Sequence, residues 1–230
     1  MSVYLVIVAI FGIAGAIVSG RLKNRFNKYS KIPIGSGMSG AEIAQKMLFD
    51  NGIRNVKITC VQGRLTDHYN PSDKTVNLSE AVFNGRNAAS AAVAAHECGH
   101  AVQDASNYGP LRLRSKLVPL QMASTKLIQL LFFLYIGGFF FNMFPDNYWV
   151  GAGVCVAYGI MALFTVVTLP VEFDASKRAL QWIEQNGVVS GQEYEMSKDA
   201  LWWAAMTYVV AALGAVTTFL YYLTVLTGRR

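Results

Sequence analysis

Four long stretches of this chain carry no charged side chain: residues 2–20, 127–145, 147–171 and 200–228. Each is near or above the roughly 20 residues that a helix needs to cross the hydrocarbon core of a bilayer. No water reaches that core to satisfy a peptide group, so an apolar run that enters it must pair its own N–H and C=O groups, which a helix does. The overall balance agrees, because 53% apolar and 15% charged residues are too oily for an ordinary soluble domain. Only Asp146 separates the second and third runs, within FNMFPDNYW, so they read as a tight helical hairpin broken at Pro145. Trp149, Trp202, Trp203, Tyr221 and Tyr222 fall near the ends of runs, where amphipathic rings favour the membrane interface.

The placement of positive charge orients these runs. A cleaved signal peptide carries its charge ahead of the apolar segment, whereas here Arg21, Lys23, Arg25, Lys28 and Lys31 follow it. The first run therefore reads as a retained anchor with its amino terminus outside. Four crossings put residues 21–126 and 172–199 on one side of the membrane, and both termini with the Asp146 turn on the other. Of the 20 Lys and Arg, 18 fall in the first group, and the remaining two are Arg229 and Arg230 at the tail. That asymmetry makes the large connecting region cytoplasmic. The net charge of +6 then reflects orientation and attraction to acidic head groups of the bilayer. No nucleic-acid module claims it, so no nucleic-acid partner is expected. Cys60, Cys98 and Cys155 form no spaced disulfide framework, as suits a reducing compartment.

The expected organisation is a first transmembrane helix at 1–20, a cytoplasmic region at 21–126, a transmembrane hairpin at 127–171, a cytoplasmic helix at 172–199, and a fourth transmembrane helix with its tail at 200–230. Inside the large region, Ser39 and Glu42 make a capping box that opens a helix through AEIAQKMLFD, and Gly52 stops it. NVKITCVQ and KTVNLSE read as strands on either side of the turn-rich NPSD. Another helix starts near Asn87, and one after Gly109-Pro110 runs on toward the membrane.

That helix from Asn87 contains HECGH at residues 96–100, which holds two of the three histidines. Alanine-rich flanks with no proline favour the helix, and positions four apart on a helix share one face. His96 and His100 can thus offer two imidazoles to one ion, with Glu97 beside it as a proton acceptor. This is the ligand spacing of a zinc hydrolase, in which the metal activates water and the carboxylate takes its proton. Cys98 points away from the ion and has a packing role. Gly99 leaves room for another backbone or a substrate to come close. The strand at residues 74–80 is a candidate edge on which an extended peptide could pair, with an ordinary internal strand as the equal alternative.

A catalytic zinc needs a third protein donor and an open position. LPVEFDASKRAL, residues 169–180, supplies Glu172 and Asp174 as the third apolar run ends. The two lie about 200° apart around a helix, so they cannot both face one ion. Glu172, read as a helix start behind Pro170, is the favoured ligand. The plain alternative is a first-turn glutamate that complements the helix dipole. An oxyanion donor is also needed, and His68, Tyr69, Tyr108 and Arg178 are candidates, although His68 in TDHYN also reads as a turn histidine without a catalytic task.

HECGHAVQDASNYGPLRLRSKLVP, LPVEFDASKRAL, DALWWAAMTYVVAAL and GRLTDHYNPSDKTVNLSE together resemble the YugP-like neutral zinc metallopeptidases of bacteria along nearly the whole chain. HExxH followed, after membrane spans, by a helix with EFxxx more distantly resembles the HtpX-type and CAAX-processing integral-membrane gluzincins. The resemblance implies a mainly α membrane protein with a small α/β zincin-like catalytic region and a short β-sheet. It implies Zn²⁺ held by His96, His100 and Glu172, Glu97 as general base, and hydrolysis of a polypeptide substrate at a bacterial cell membrane. It says nothing of oligomeric state. The distant gluzincins carry an aspartate four residues beyond the glutamate ligand, where it can orient a ligating histidine. Here that position is Ser176, and Ser176, Asp174 or Asp104 could take over the task.

Two rivals remain at the level of sequence. In an intramembrane site-2-type protease the HExxH would lie within a span and Asp146 would complete the site, but Arg86 and Asp104 bracket a segment too short to cross. A membrane scaffold that keeps zinc only for structure would not depend on Glu97.

Overall fold

A computed structural model of the protein describes residues 3–141 and 148–228. The expected hairpin turn at Pro145 and Asp146, and with it the aspartate of the site-2 reading, lies outside the described residues, as do Arg229 and Arg230 of the tail. The helices are α1 (Val3–Tyr29), α2 (Gly40–Asp50), α3 (Glu80–Phe83), α4 (Ala88–Ala105), α5 (Gly109–Phe141), α6 (Tyr148–Gln185) and α7 (Gln192–Thr227), and the strands are β1 (Lys57–Val61), β2 (His68–Asn70) and β3 (Thr75–Ser79). Internal contacts divide the chain into two units, one of Met1–Gly15, Leu113–Leu169 and Tyr208–Arg230, the other of Ala16–Arg112 and Pro170–Thr207.

The first unit is helical and turns apolar side chains outward, among them Leu5, Val8, Ile10, Phe132, Val156, Leu163 and Leu220. Such a surface suits acyl chains better than water. Small residues let its helices meet: a Cβ on Gly214 would stand 3.2 Å from the Phe11 ring, and the rings of Tyr158 and Tyr222 stack with centroids 4.9 Å apart. Among the described residues three helices, α1, α6 from Trp149, and α7, are long and apolar enough to cross a membrane, where four were expected. Of the remaining candidate, 127–145, residues 127–141 lie in α5, and the rest is outside the described residues.

Pro170 also behaves differently from expectation. Instead of starting a helix it sits inside α6, which runs unbroken from Tyr148 to Gln185. Within an apolar run no solvent competes for the backbone, and one missing N–H is tolerated. Glu172 is consequently deep within a helix, which removes the reading of it as a first-turn complement to the helix dipole. Residues 172–199 comprise the end of α6, a turn in which Gly187 takes φ 61°, and the start of α7.

The second unit packs around α4. Helix α2 opens with the expected reciprocal capping box, Ser39 Oγ accepting from the Glu42 N–H while the Glu42 carboxylate accepts from the Ser39 N–H, and Gly52 closes it at φ 72°. Asn87 caps α4 by accepting from the Ser90 N–H. Alanines along α4 have almost no side chain to hold a neighbour off, so Ile43, Ala44 and Met47 of α2 share one fully buried core with Ala91, Ala95 and Cys98. The Cys98 Sγ lies 3.6 Å from the Ala44 carbonyl, and burial pushes its thiol pKa up, in keeping with a packing role.

The sheet has order β1-β3-β2, with β3 parallel to β1 and antiparallel to β2. The expected peptide-binding edge at residues 74–80 is therefore the central strand, paired on both sides at Thr75, Val76 and Asn77 and with β1 alone at Leu78 and Ser79. The sequence reading missed β2: His68, expected in a turn, opens this three-residue strand, and the pairing that carries it comes from β3 rather than from its own residues. Val76 and Leu78 of β3 are wholly buried.

Candidate metal centre

Helices α4 and α6 bring the three expected donors together, all within the second unit. His96 Nε2 lies 3.3 Å and His100 Nε2 3.7 Å from Glu172 Oε2, and one donor atom from each residue falls within 4.8 Å of the others. Among the described residues this is the one group of three or more His, Cys, Asp or Glu side chains close enough to share an ion. Tetrahedral zinc, with bonds near 2.0–2.1 Å, sets its ligands about 3.3 Å apart. The two distances to Glu172 stand within a few tenths of an ångström of that separation, and the third pair lies within 4.8 Å. The donor set fits too, since two imidazoles and one carboxylate leave a fourth position open. Glu172 is 2% exposed, and a carboxylate so deeply buried is stable only beside positive charge.

Close approach of the two helices makes this convergence possible. A Cβ on Gly99 would lie 2.6 Å from the carbonyl oxygen of Ala175 and 3.1 Å from its Cα, so glycine is what lets α6 lie against α4 at this level. Ala175 sits between Glu172 and Ser176 along α6, and one turn of contact thus seats both. The backbone that Gly99 was expected to admit is that of α6.

The far ring nitrogens are also held. His96 Nδ1 is 3.1 Å from Ser176 Oγ, and His100 Nδ1 is 3.0 Å from Gln103 Oε1. Gln103 donates from Nε2 to the Val171 carbonyl and to Asp174 Oδ2, each at 2.8 Å, and Asp174 accepts from Arg178 Nε at 2.6 Å. Burial disfavours the charged form of His100, but the hydrogen bond and charge of Glu172, with further contributions from Glu97 and Gln103, hold its pKa above the ordinary histidine value. Glu97 is buried on α4, near enough for its charge to be felt at His100.

The other expected residues distribute as follows. Ser176 touches His96, and Asp174 reaches His100 through Gln103. Asp104 instead accepts from Tyr69 Oη at 2.6 Å and from Lys74, tying α4 to the sheet. Burial works against the Asp104 charge, and those two partners outweigh it to keep its pKa below the usual carboxylate value. His68 is exposed, with Nδ1 2.8 Å from the Thr66 carbonyl, and no hydrogen bond or ion pair among the described residues joins it to the three donors. Tyr69 is committed to Asp104. Arg178 sits with its guanidinium 5.7 Å from the Tyr108 ring centre, placing those two candidates at the Asp174 end of the network. Gln103 is the residue the sequence reading missed, and its one signal was the position three residues after His100, on the same helix face.

Comparison with known proteins agrees with this geometry. The family described as "putative neutral zinc metallopeptidase" matches residues 3–227. The protein of Bacillus subtilis described as "putative membrane protease YugP" is 40% identical over 193 residues, which cover 84% of this chain and 83% of that protein. No solved structure matches the chain. A match of this extent, carried by a chain whose HECGH helix and Glu172 meet, establishes that the protein belongs to this family of neutral zinc metallopeptidases.

Proposed function

We propose that this protein is an integral-membrane zinc endopeptidase that hydrolyses peptide bonds of membrane or membrane-proximal polypeptides. The observation that carries the reading is the meeting of His96, His100 and Glu172 at ligand spacing, with Glu97 buried beside them. A zinc ion, when bound, supplies Lewis-acid polarisation of the scissile carbonyl and eases ionisation of water. The residues do the rest. His96 and His100 present neutral nitrogens, Glu172 supplies the charge that makes the pocket favourable to a cation, and Glu97 accepts the proton of the attacking water and returns it to the leaving amine. His68, bound to Thr66 at the surface, has no part in this scheme.

The preference for substrates near the bilayer rests on α6, in which Glu172 directly follows the uncharged run of residues 147–171. The distribution of Lys and Arg supports a bacterial plasma-membrane enzyme with a cytoplasmic catalytic face and both termini outside. The purified full-length protein should carry one zinc and cleave casein or an unstructured peptide. A strong chelator should abolish cleavage and stoichiometric zinc should restore it. Cleavage that survives complete removal of metal would overturn the zinc mechanism. A peptide fused to a membrane anchor should be cut faster than the same peptide free in solution, and equal rates would remove the preference for membrane-proximal substrates.

A further inference from the structure

Gln103 has no exposed surface, yet it carries a full amide. Its nitrogen faces two accepting oxygens, the Val171 carbonyl and Asp174 Oδ2, and the latter also accepts from Arg178 Nε. A flipped amide would set oxygen against both. The orientation is therefore forced, with Oε1 toward His100 Nδ1. A carbonyl oxygen can only accept, so Nδ1 must carry the hydrogen. In the neutral ring that leaves the lone pair on Nε2, the nitrogen directed at Glu172.

We infer that Gln103 is a positioning residue that fixes the tautomer and tilt of His100, and that Asp174 and Arg178 set its direction from α6. The inference rests on the zinc-ligand reading of His100 and deepens it. His96 is held by a hydroxyl on α6, while His100 is held by an amide on its own helix whose polarity is dictated across the interface. The same bonds tie α4 to α6 beside Val171, one residue from Glu172, so the network that orients one ligand also restrains the backbone of another.

The test exchanges the two groups. Gln103→Glu alone places two carboxylates face to face, and Asp174→Asn alone removes the anion that orients the amide. Each should lower zinc affinity of the full-length protein by about 10- to 100-fold, measured by competition with a chromophoric chelator. In the double variant Gln103→Glu with Asp174→Asn, the new carboxylate still accepts from His100 Nδ1 and the new amide can turn to donate to it, while the Val171 carbonyl loses its donor. Part of the lost affinity should return, leaving the double variant tighter than either single one. A merely structural role for Gln103 would give no such rescue, because the double variant would lose at least as much as either single one, and that result overturns the inference. So does zinc affinity equal to wild type in both single variants. Thermal unfolding of the metal-free proteins, expected to stay close to wild type in the double variant, separates ligand positioning from loss of fold. A wild-type protein that binds no zinc would instead overturn the parent reading, and this one with it.

Discussion

Replacing Glu97 by glutamine should reduce peptide cleavage by two to four orders of magnitude while leaving zinc bound, the range over which a positioned general base accelerates proton transfer. Glutamine keeps the size and shape of the side chain in a buried position, so the packing of α4 against α2 should survive. The three donors are other residues, and their spacing does not depend on Glu97. Glu97 is one of the groups that raise the pKa of His100, so neutralising it weakens proton competition for that ligand while also weakening the pocket's attraction for a cation, and the two effects oppose each other. What disappears is a carboxylate able to take a proton from water and deliver it to the departing amine, because a neutral amide has no comparable basicity. The check is zinc content by mass spectrometry beside cleavage of a fluorogenic peptide, in the same preparation. Cleavage within a few-fold of wild type would remove Glu97 from the mechanism. Loss of zinc together with activity would show that the residue holds the site together instead of acting in it. The zinc-stabilised scaffold makes a separate forecast, in which the glutamine variant keeps whatever role the wild type performs.

The parts of this site that were legible in the sequence are those encoded by local spacing. Two histidines four apart in an alanine-rich run define a face without any knowledge of the rest of the fold. The Ser39 capping box and the start of a helix near Asn87 are equally local, and both are found where they were expected. Glu172 was preferred to Asp174 because the third apolar run ends there on the side of the HECGH helix, and the resemblance implied the same ligand. Its setting was not reachable, since a proline was taken to start a helix that in fact passes through it. The rule that proline ends helices weighs the lost hydrogen bond against water as an alternative partner, and an apolar segment offers no such alternative. Strand β2 was missed for a related reason. His68–Asn70 has the residues of a turn, and it is a strand only because β3 lies beside it. Gln103 shows the limit most clearly. Glutamine is an unremarkable helix residue, and nothing in AVQDAS sets it apart. Its role depends on Asp174, on another helix and 71 positions away, and only the packing of α4 on α6 brings the two together.

That packing is also the point at which the smallest change should do the most damage. Gly99→Ala adds one methyl group at mid-helix, and helix propensity alone would favour it by up to about 1 kcal/mol. The contact decides otherwise, because the new Cβ would lie 2.6 Å from the Ala175 carbonyl oxygen, and its neighbour there is a backbone that cannot rotate aside as a side chain could. Forcing an extra carbon into a filled contact costs about 1–3 kcal/mol, so the net effect is destabilising. The larger consequence is geometric. Helix α6 must move off α4 at the level of Ala175, carrying Glu172 away from both imidazoles and Ser176 away from His96. Zinc affinity should therefore fall by at least tenfold, and cleavage should fall with it, in a protein that still inserts into the membrane. Gly20→Ala is the matched control, since it too lies inside a helix and a Cβ there meets nothing within 4 Å, so zinc, activity and unfolding temperature should be unchanged or slightly improved. If Gly99→Ala binds zinc and unfolds like the control, the contact between the two helices is looser than the distances require, and the alignment of Glu172 with the HECGH face must be set by something other than the closeness of α4 and α6.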